Sequence, residues 1–319
     1  MAIQATGSQI AQVIGVLLMA HGSPDSLDEI APFLQHVRGG RPTPPALVEE
    51  IREHYRLIGG RSPLLDLTQA QAKALEGRLK VDGVRFRVYV GMRNWHPFIK
   101  DTVKRMVADS VRRVVAVSLA PQYSHLSVGA YQQALETAQS ELGVSLDVTN
   151  VESWHDHPLL LQAFAERVQE AFAQLPADAC AQVHTIFTAH SLPERMLKEG
   201  DPYPREVERT AAGVARRLGL LAWDLGYQSQ GATAEPWIGP TLDDLLERCA
   251  ARGQRRILLV PVGFVCDHME ILYDIDIVAQ RIAKKKGLSL MRTTSLNTSP
   301  CFIEALADVV RRSTCNVQR

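Results

Sequence analysis

The sequence has no excess of charge of either sign, and that absence excludes a class of partner. Lys+Arg and Asp+Glu number 35 each. A balanced chain lacks the basic stripe that nucleic acid attracts, so an anionic ligand has to be met by local arginines. Basic residues are missing from the start: none precedes the apolar run Val13–Ala20, and the first is Arg38. A secretory signal carries such residues ahead of its apolar core, so the expectation is a cytoplasmic protein. No apolar run approaches the roughly 20 residues of a membrane span. Cysteine is sparse: Cys180, Cys249, Cys266, Cys301 and Cys315 form no CxxC pair, a pattern of reduced thiols rather than a disulfide framework. Neither GxGxxG nor a P-loop occurs, so nothing points to dinucleotide or nucleoside triphosphate binding.

What is present is a long alternation. The chain has 319 residues, 46% of them hydrophobic, enough for two domains. Apolar runs at Val13–Ala20, Phe86–Gly91, Arg113–Leu119, Leu146–Val151, Val183–Thr188, Ala222–Tyr227, Ile257–Val262 and Leu288–Thr293 read as strands. Many are continuous rather than alternating, as in strands buried on both faces. Helical patterns separate them, at Ala46–Tyr55, Thr68–Leu79, Pro97–Ala108, Gly129–Leu142, Pro158–Gln174, Glu206–Leu218, Thr241–Ala251 and Phe302–Arg312. The order predicts an α/β protein with parallel sheets covered by helices. The halves also echo one another. Leu17–Pro24 (LLMAHGSP) has the form of Thr185–Pro193 (TIFTAHSLP), and Val114–Ser124 that of Ile257–Asp267. The reading is two similar Rossmann-like domains, 1–155 and 156–319, each an open parallel sheet, facing each other across a cleft. The last helix crosses back onto the first half. Coincidence in an alanine-rich chain is the alternative.

Three residues stand where chemistry would sit. His190 ends a buried strand, the place where open parallel sheets bind ligands, and an imidazole there can hold a metal or move a proton near neutral pH. A satisfied strand-end histidine is the plainer alternative. His21 holds the matching place in the first half, with the same two readings. Glu270 lies in Asp267-His268-Met269-Glu270, which fits a capping box with Asp267 as N-cap. His268 reads as a structural neighbour. Tyr123, Tyr131, Trp95, Trp237, Met92, Leu126 and Phe264 lie near strand ends and are candidate walls of an apolar slot.

Five ordered segments carry a family resemblance: Gly59–Leu64 (GGRSPL), Ser118–Ser124 (SLAPQYS), Ile186–Tyr203 (IFTAHSLPERMLKEGDPY), Tyr227–Pro240 (YQSQGATAEPWIGP) and Pro261–Asp274 (PVGFVCDHMEILYD). Together they resemble ferrochelatases, lyases that insert Fe²⁺ into a porphyrin in haem biosynthesis, and the likeness runs from about Val16 to about Val310. The resemblance implies the chelatase-like fold, with His190 and Glu270 as catalytic and metal-binding residues acting by ring distortion and pyrrole deprotonation. It implies porphyrin contacts at Arg38, Tyr55, Ser62 and Tyr131. His54 stands where some members carry a propionate-binding arginine. His21 replaces a tyrosine or apolar residue and is a further candidate for the metal or the porphyrin. Val278 interrupts an acidic ladder of which Asp274 and Asp276 keep part. Fe²⁺ and the porphyrin, coproporphyrin III or protoporphyrin IX, are substrates, and no tightly bound cofactor is implied. A cysteine-rich tail would hold an iron–sulfur cluster; this one offers only Cys315, so no cluster is expected. A monomer with transient contacts to neighbouring haem-pathway enzymes fits. The alternatives are a chelatase for another metal or ring, such as cobalt into sirohydrochlorin, and a non-catalytic tetrapyrrole carrier.

Overall fold

A computed structural model describes residues 13–81, 84–231, 233 and 235–315. Its strands are β1 (Val13–Ala20), β2 (Lys80–Val81), β3 (Val84–Met92), β4 (Arg113–Ser118), β5 (Asp147–Val151), β6 (Val183–His190), β7 (Trp223–Gln228), β8 (Arg256–Val260) and β9 (Ser289–Arg292). In the first half the helices are α1 (Ile30–Val37), α2 (Pro45–Leu57), α3 (Leu64–Arg78), α4 (Ile99–Ala108) and α5 (Ala130–Leu142). The second has α6 (Pro158–Phe172), α7 (Ala177–Cys180), α8 (Arg195–Lys198), α9 (Tyr203–Leu218), α10 (Leu242–Ala251), α11 (Gln280–Lys285) and α12 (Pro300–Cys315). No described helix is long and apolar enough to cross a membrane.

The strands form two sheets, ordered β2-β3-β1-β4-β5 and β7-β6-β8-β9. All pairings are parallel except β2 with β3, so the short edge strand β2 departs from the expected all-parallel sheet. Leaving it aside, each sheet runs second, first, third, fourth in chain order. The internal likeness is therefore one of topology as well as sequence. In both sheets the order reverses beside the first strand, β1 or β6, and ligands of open α/β sheets bind beyond the carboxyl ends at such a point.

The continuous apolar runs follow from burial on both faces. Along β1, Leu17 and Met19 pack with Val103, Met106 and Leu135 under α4 and α5. Val16 and Leu18 point the other way, into a core shared by the two halves. Along β6, Ile186 packs with Leu245, Cys249 and Ile275, while Phe187 and Ala189 enter the shared core. That core is completed by α6, α9 and α12, among them Phe164, Val207 and Phe302. Helix α12 lies against α3, β4, β5 and α6; this last described helix thus covers the first sheet, and one apolar cluster spans the boundary at 155.

Besides a 3₁₀ turn at Leu27–Glu29, two described stretches depart from the regular α winding. The turn His125–Gly129, which leads into α5, and the stretch Ile271–Ala279, which leads into α11, are π-helical. They occupy corresponding places after β4 and β8, and both adjoin the cleft. π-Helical turns concentrate at functional sites.

Candidate active site

The carboxyl ends of both sheets open onto one cavity of about 400 Å³. Its wall is largely apolar, with Phe33, Leu34 and Ile51 from one side and Leu192, Phe264 and Met269 from the other. His190, the last residue of β6, reaches it, as do His21, just past β1, and His268 and Glu270, beyond β8. Two glycines set these positions. Gly22 has φ +88 and lies against Trp95, where a Cβ would stand 2.8 Å from the Trp95 nitrogen. Gly263 presses on β6, where a Cβ would be 2.8 Å from Ala189 Cα. Without a side chain there, the loop after β8 can bring Glu270 alongside His190.

Glu270 is the centre of the polar group. Its Oε1 lies 3.6 Å from His190 Nε2, and its Oε2 lies 3.3 Å from His268 Nε2. The opposite nitrogens are all spoken for by carbonyls. His190 Nδ1 donates to Ser191 O, His21 Nδ1 to Gly22 O at 3.0 Å and His268 Nδ1 to Cys266 O at 3.0 Å. A carbonyl can only accept, so each Nδ1 carries the proton. The three rings are thereby fixed with Nε2 as the variable nitrogen.

Electrostatics separates their roles. Enclosure by protein pushes Glu270 up, but the nearby His190, His268 and His21 outweigh it and hold the carboxyl at about 2. For His268, burial opposes protonation, yet the Glu270 carboxylate and the Cys266 carbonyl win and raise its pKa. His268 Nε2 can then donate to Glu270. His21 shifts the other way: surrounding protein lowers its pKa, despite Glu270, because the ring is ringed by the cleft even though its surface opens to the cavity. Deeper along the π-helix, burial pushes Asp274 up to about 6, against a hydrogen bond from Ser229. Burial likewise keeps the Tyr55, Tyr131 and Tyr203 phenols protonated well beyond their ordinary range. Tyr203 uses its hydroxyl to hold the His190 carbonyl at 3.0 Å.

Tyr55, Ser62 and Tyr131 line the cavity with His21, His190 and Glu270. Arg38 does not. It ends α1 one turn beyond Leu34, and its Nε is enclosed without a hydrogen-bond partner among the described residues. His54 also lies off the cavity wall; it stacks on Tyr273 with ring centroids 3.8 Å apart, joining α2 to the π-helix. Of the aromatic and apolar wall candidates, Tyr131, Leu126 and Phe264 line the cavity, whereas Tyr123, Trp95, Trp237 and Met92 do not. Trp95 packs edge-on to Phe33 and donates to Glu29.

The expected capping box is absent. Asp267 accepts from Ser295 at 2.7 Å and Asn297 at 2.9 Å and pairs with Arg292, which leaves Glu270 free to face the histidines. Asp276 is held bidentately by Arg292 at 2.6 and 2.8 Å. His268, read from sequence as a structural neighbour, is a cavity residue in contact with Glu270. Arg93 was missed altogether. It lines the cavity, donates to Leu126 O at 3.4 Å, and no carboxylate pairs with it among the described residues. Its one legible signal is its place directly after β3. The side chain of Cys315, on which the iron–sulfur expectation turned, lies outside the described residues.

The family model for ferrochelatase matches residues 13–314. The chain is 45% identical over 296 residues to a ferrochelatase of Herpetosiphon aurantiacus, covering 92% of this chain and 97% of that protein. Against a coproporphyrin III ferrochelatase of Geobacillus kaustophilus the identity is 40% over 304 residues, with 94% and 96% covered. Among solved structures, the sirohydrochlorin chelatase SirB from Bacillus subtilis subspecies spizizenii, in complex with cobalt, is similar with a TM-score of 0.60 at 10% identity, covering 96% of each chain. CbiX, described as the terminal enzyme of sirohaem biosynthesis in denitrifying bacteria, gives 0.52 at 14% identity over 93% of this chain and 98% of that one. At those identities the structural likeness speaks to the fold.

Proposed function

We propose a mechanism from one premise: the chain belongs to the ferrochelatase family, lyases that insert Fe²⁺ into a porphyrin in haem biosynthesis. The observation that carries the mechanism is the approach of His190 and Glu270 to 3.6 Å in the cavity formed by the two sheet ends. Insertion replaces two pyrrole N–H protons with one dipositive ion, so the site must hold a partly dehydrated cation and take up two protons. Glu270, held at about 2, stays ionised at any working pH. That suits holding the cation and makes it a poor store for protons. His190 Nε2 faces the same carboxylate, and together they offer one nitrogen and one oxygen donor. Such a site is incomplete beside the closed four-ligand sets that retain zinc, so it can release Fe²⁺ to the ring.

His21 supplies a neutral base. Its lowered pKa keeps Nε2 unprotonated near neutral pH, ready to accept one pyrrole proton, and His190 Nε2 accepts the second as the ion leaves it for the ring. His268 acts on Glu270 by donating to it, fixing the carboxylate's orientation. The apolar walls from the two sheets grip the ring, and a nitrogen base meeting the pyrroles from off the plane favours a bent ring with its nitrogens exposed. Arg93, with no carboxylate partner among the described residues, suits a propionate of the porphyrin, with the protonated phenols of Tyr55 and Tyr131 and the Ser62 hydroxyl as further donors. No electron or hydride moves, so the reaction calls for no resident cofactor.

The test is metal insertion by His190→Ala and Glu270→Gln, followed by loss of porphyrin fluorescence under anaerobic Fe²⁺. Both should bind porphyrin and insert iron very slowly. Turnover near that of the parent protein in both variants overturns the mechanism. Kinetics with coproporphyrin III and protoporphyrin IX then reads the preferred ring.

A further inference from the structure

We propose that His184, Asp224 and Cys249 form a second divalent-cation site, with the donor set of a zinc-type ion, at the end of the second sheet remote from the catalytic cavity. Strand pairing builds it. Ile186 of β6 lies opposite Asp224 of β7. His184, two residues before Ile186, shares its face of the strand, so His184 and Asp224 are diagonal neighbours. That face is the one α10 covers, with Ile186 and Cys249 in the same apolar cluster. His184 Nε2 and Asp224 Oδ2 stand 2.8 Å apart. One ligand atom from each of the three residues falls within 4.8 Å of the others, and no other cluster of three such groups is found among the described residues.

The chemistry selects the ion. One imidazole, one carboxylate and one thiol suit a borderline-soft cation rather than Mg²⁺ or Ca²⁺. Bond lengths of about 2.0–2.3 Å put tetrahedral ligands about 3.5 Å apart, so an ion would open the His184–Asp224 pair from 2.8 Å and draw in the cysteine from within 4.8 Å. Asp224 keeps 27% of its side chain exposed, which leaves room for water as a fourth ligand. Arg252 Nη1, 3.5 Å from Asp224 Oδ2, supplies positive charge there now. Its side chain is 56% exposed and can swing aside. His184 and His190 lie on one strand six residues apart, about 20 Å at the rise of an extended chain. An ion at this site therefore cannot serve the catalytic pair; it would tie β6, β7 and α10 together.

Titration of the purified full-length protein with Co²⁺ tests this. A thiolate-to-cobalt charge-transfer band should appear, be displaced by Zn²⁺, and persist in Glu270→Gln. Cys249→Ser should lose the band while keeping iron insertion. Asp224→Asn, which retains the thiol, should weaken Co²⁺ binding by at least the roughly 10- to 100-fold that loss of even an outer-shell partner brings. Zn²⁺ should raise the Tm of the parent protein more than that of Cys249→Ser. Absence of the band from the parent protein, or its survival in Cys249→Ser, overturns the proposal.

Discussion

Replacing Glu270 by Gln removes one negative charge and keeps the side chain's size, so it isolates the electrostatic part of the site. Holding the carboxyl at about 2 rather than 4.5 corresponds to about 3 kcal/mol of preference for the ionised form. Three imidazoles share that preference, against the cost of enclosure. The His268 bond at 3.3 Å is charge-assisted, and such bonds contribute about 1.5–3 kcal/mol. The amide oxygen can still accept from His268, but the carboxylate charge that raises the histidine's pKa against burial is gone, so that pKa should fall. The effects on stability have opposite signs in pH. Glu270's depressed pKa stabilises the fold above pH 4.5, and that contribution is lost as pH falls toward 2. His268's raised pKa stabilises below 6.5 and loses that contribution as pH climbs through the folded value. The variant should therefore fall furthest behind the parent protein between these limits, near pH 5–6. Turnover should drop by about 10²–10³, the usual effect of removing one preorganised group aimed at developing charge. Ring-proton NMR, with His268→Asn for assignment, reads the histidine; anaerobic fluorescence reads the rate. An unmoved His268 titration, or insertion at close to the parent rate, refutes the reasoning.

Other perturbations have equally definite outcomes. Asp274→Asn should stabilise the protein above pH 6, because Asp274 titrates at about 6 folded and 3.8 otherwise; a folded state that holds its proton more tightly loses stability as pH rises between those values. Thermal melts of the two proteins should converge at pH 4, and a constant difference across pH contradicts the assignment. Phe302→Ala removes a fully buried ring of α12 from the core shared by the halves and should cost about 3–5 kcal/mol. Denaturant unfolding measures it, and a loss under 1 kcal/mol would mean that α12 is not integral to that core.

The alternation of strands and helices was plain from the residues because most strands lie between helix layers. Val13–Ala20 is legible to the residue, since both its faces are buried. The α1 helix went unread: its apolar side is short, with only Ile30 and Phe33 buried. The π-helical stretches also carry no sequence signal, since Ile271–Ala279 has the composition of an ordinary helix. At the site, His190 and Glu270 stood in a segment whose form and likeness both pointed to chemistry. His268 looked structural because its partner depends on which way Glu270 turns, and that is set by the bonds of Asp267 to Ser295 and Asn297, about 30 residues on. The same long-range contact abolished the expected capping box.

The sequence by itself determined the layered α/β architecture, the duplication and the histidine at each first strand's end. These are local matters of periodicity and of which side chains a doubly covered strand must carry. Only the tertiary structure decided which residues meet across the cleft. Arg38 and His54 fell outside the cavity, and Arg93, Tyr203 and His268 came within reach of the chemistry. Side chains from opposite sheets share no local code: their distances follow from how two sheets settle on one core, and the charge on each imidazole follows from its neighbours in space.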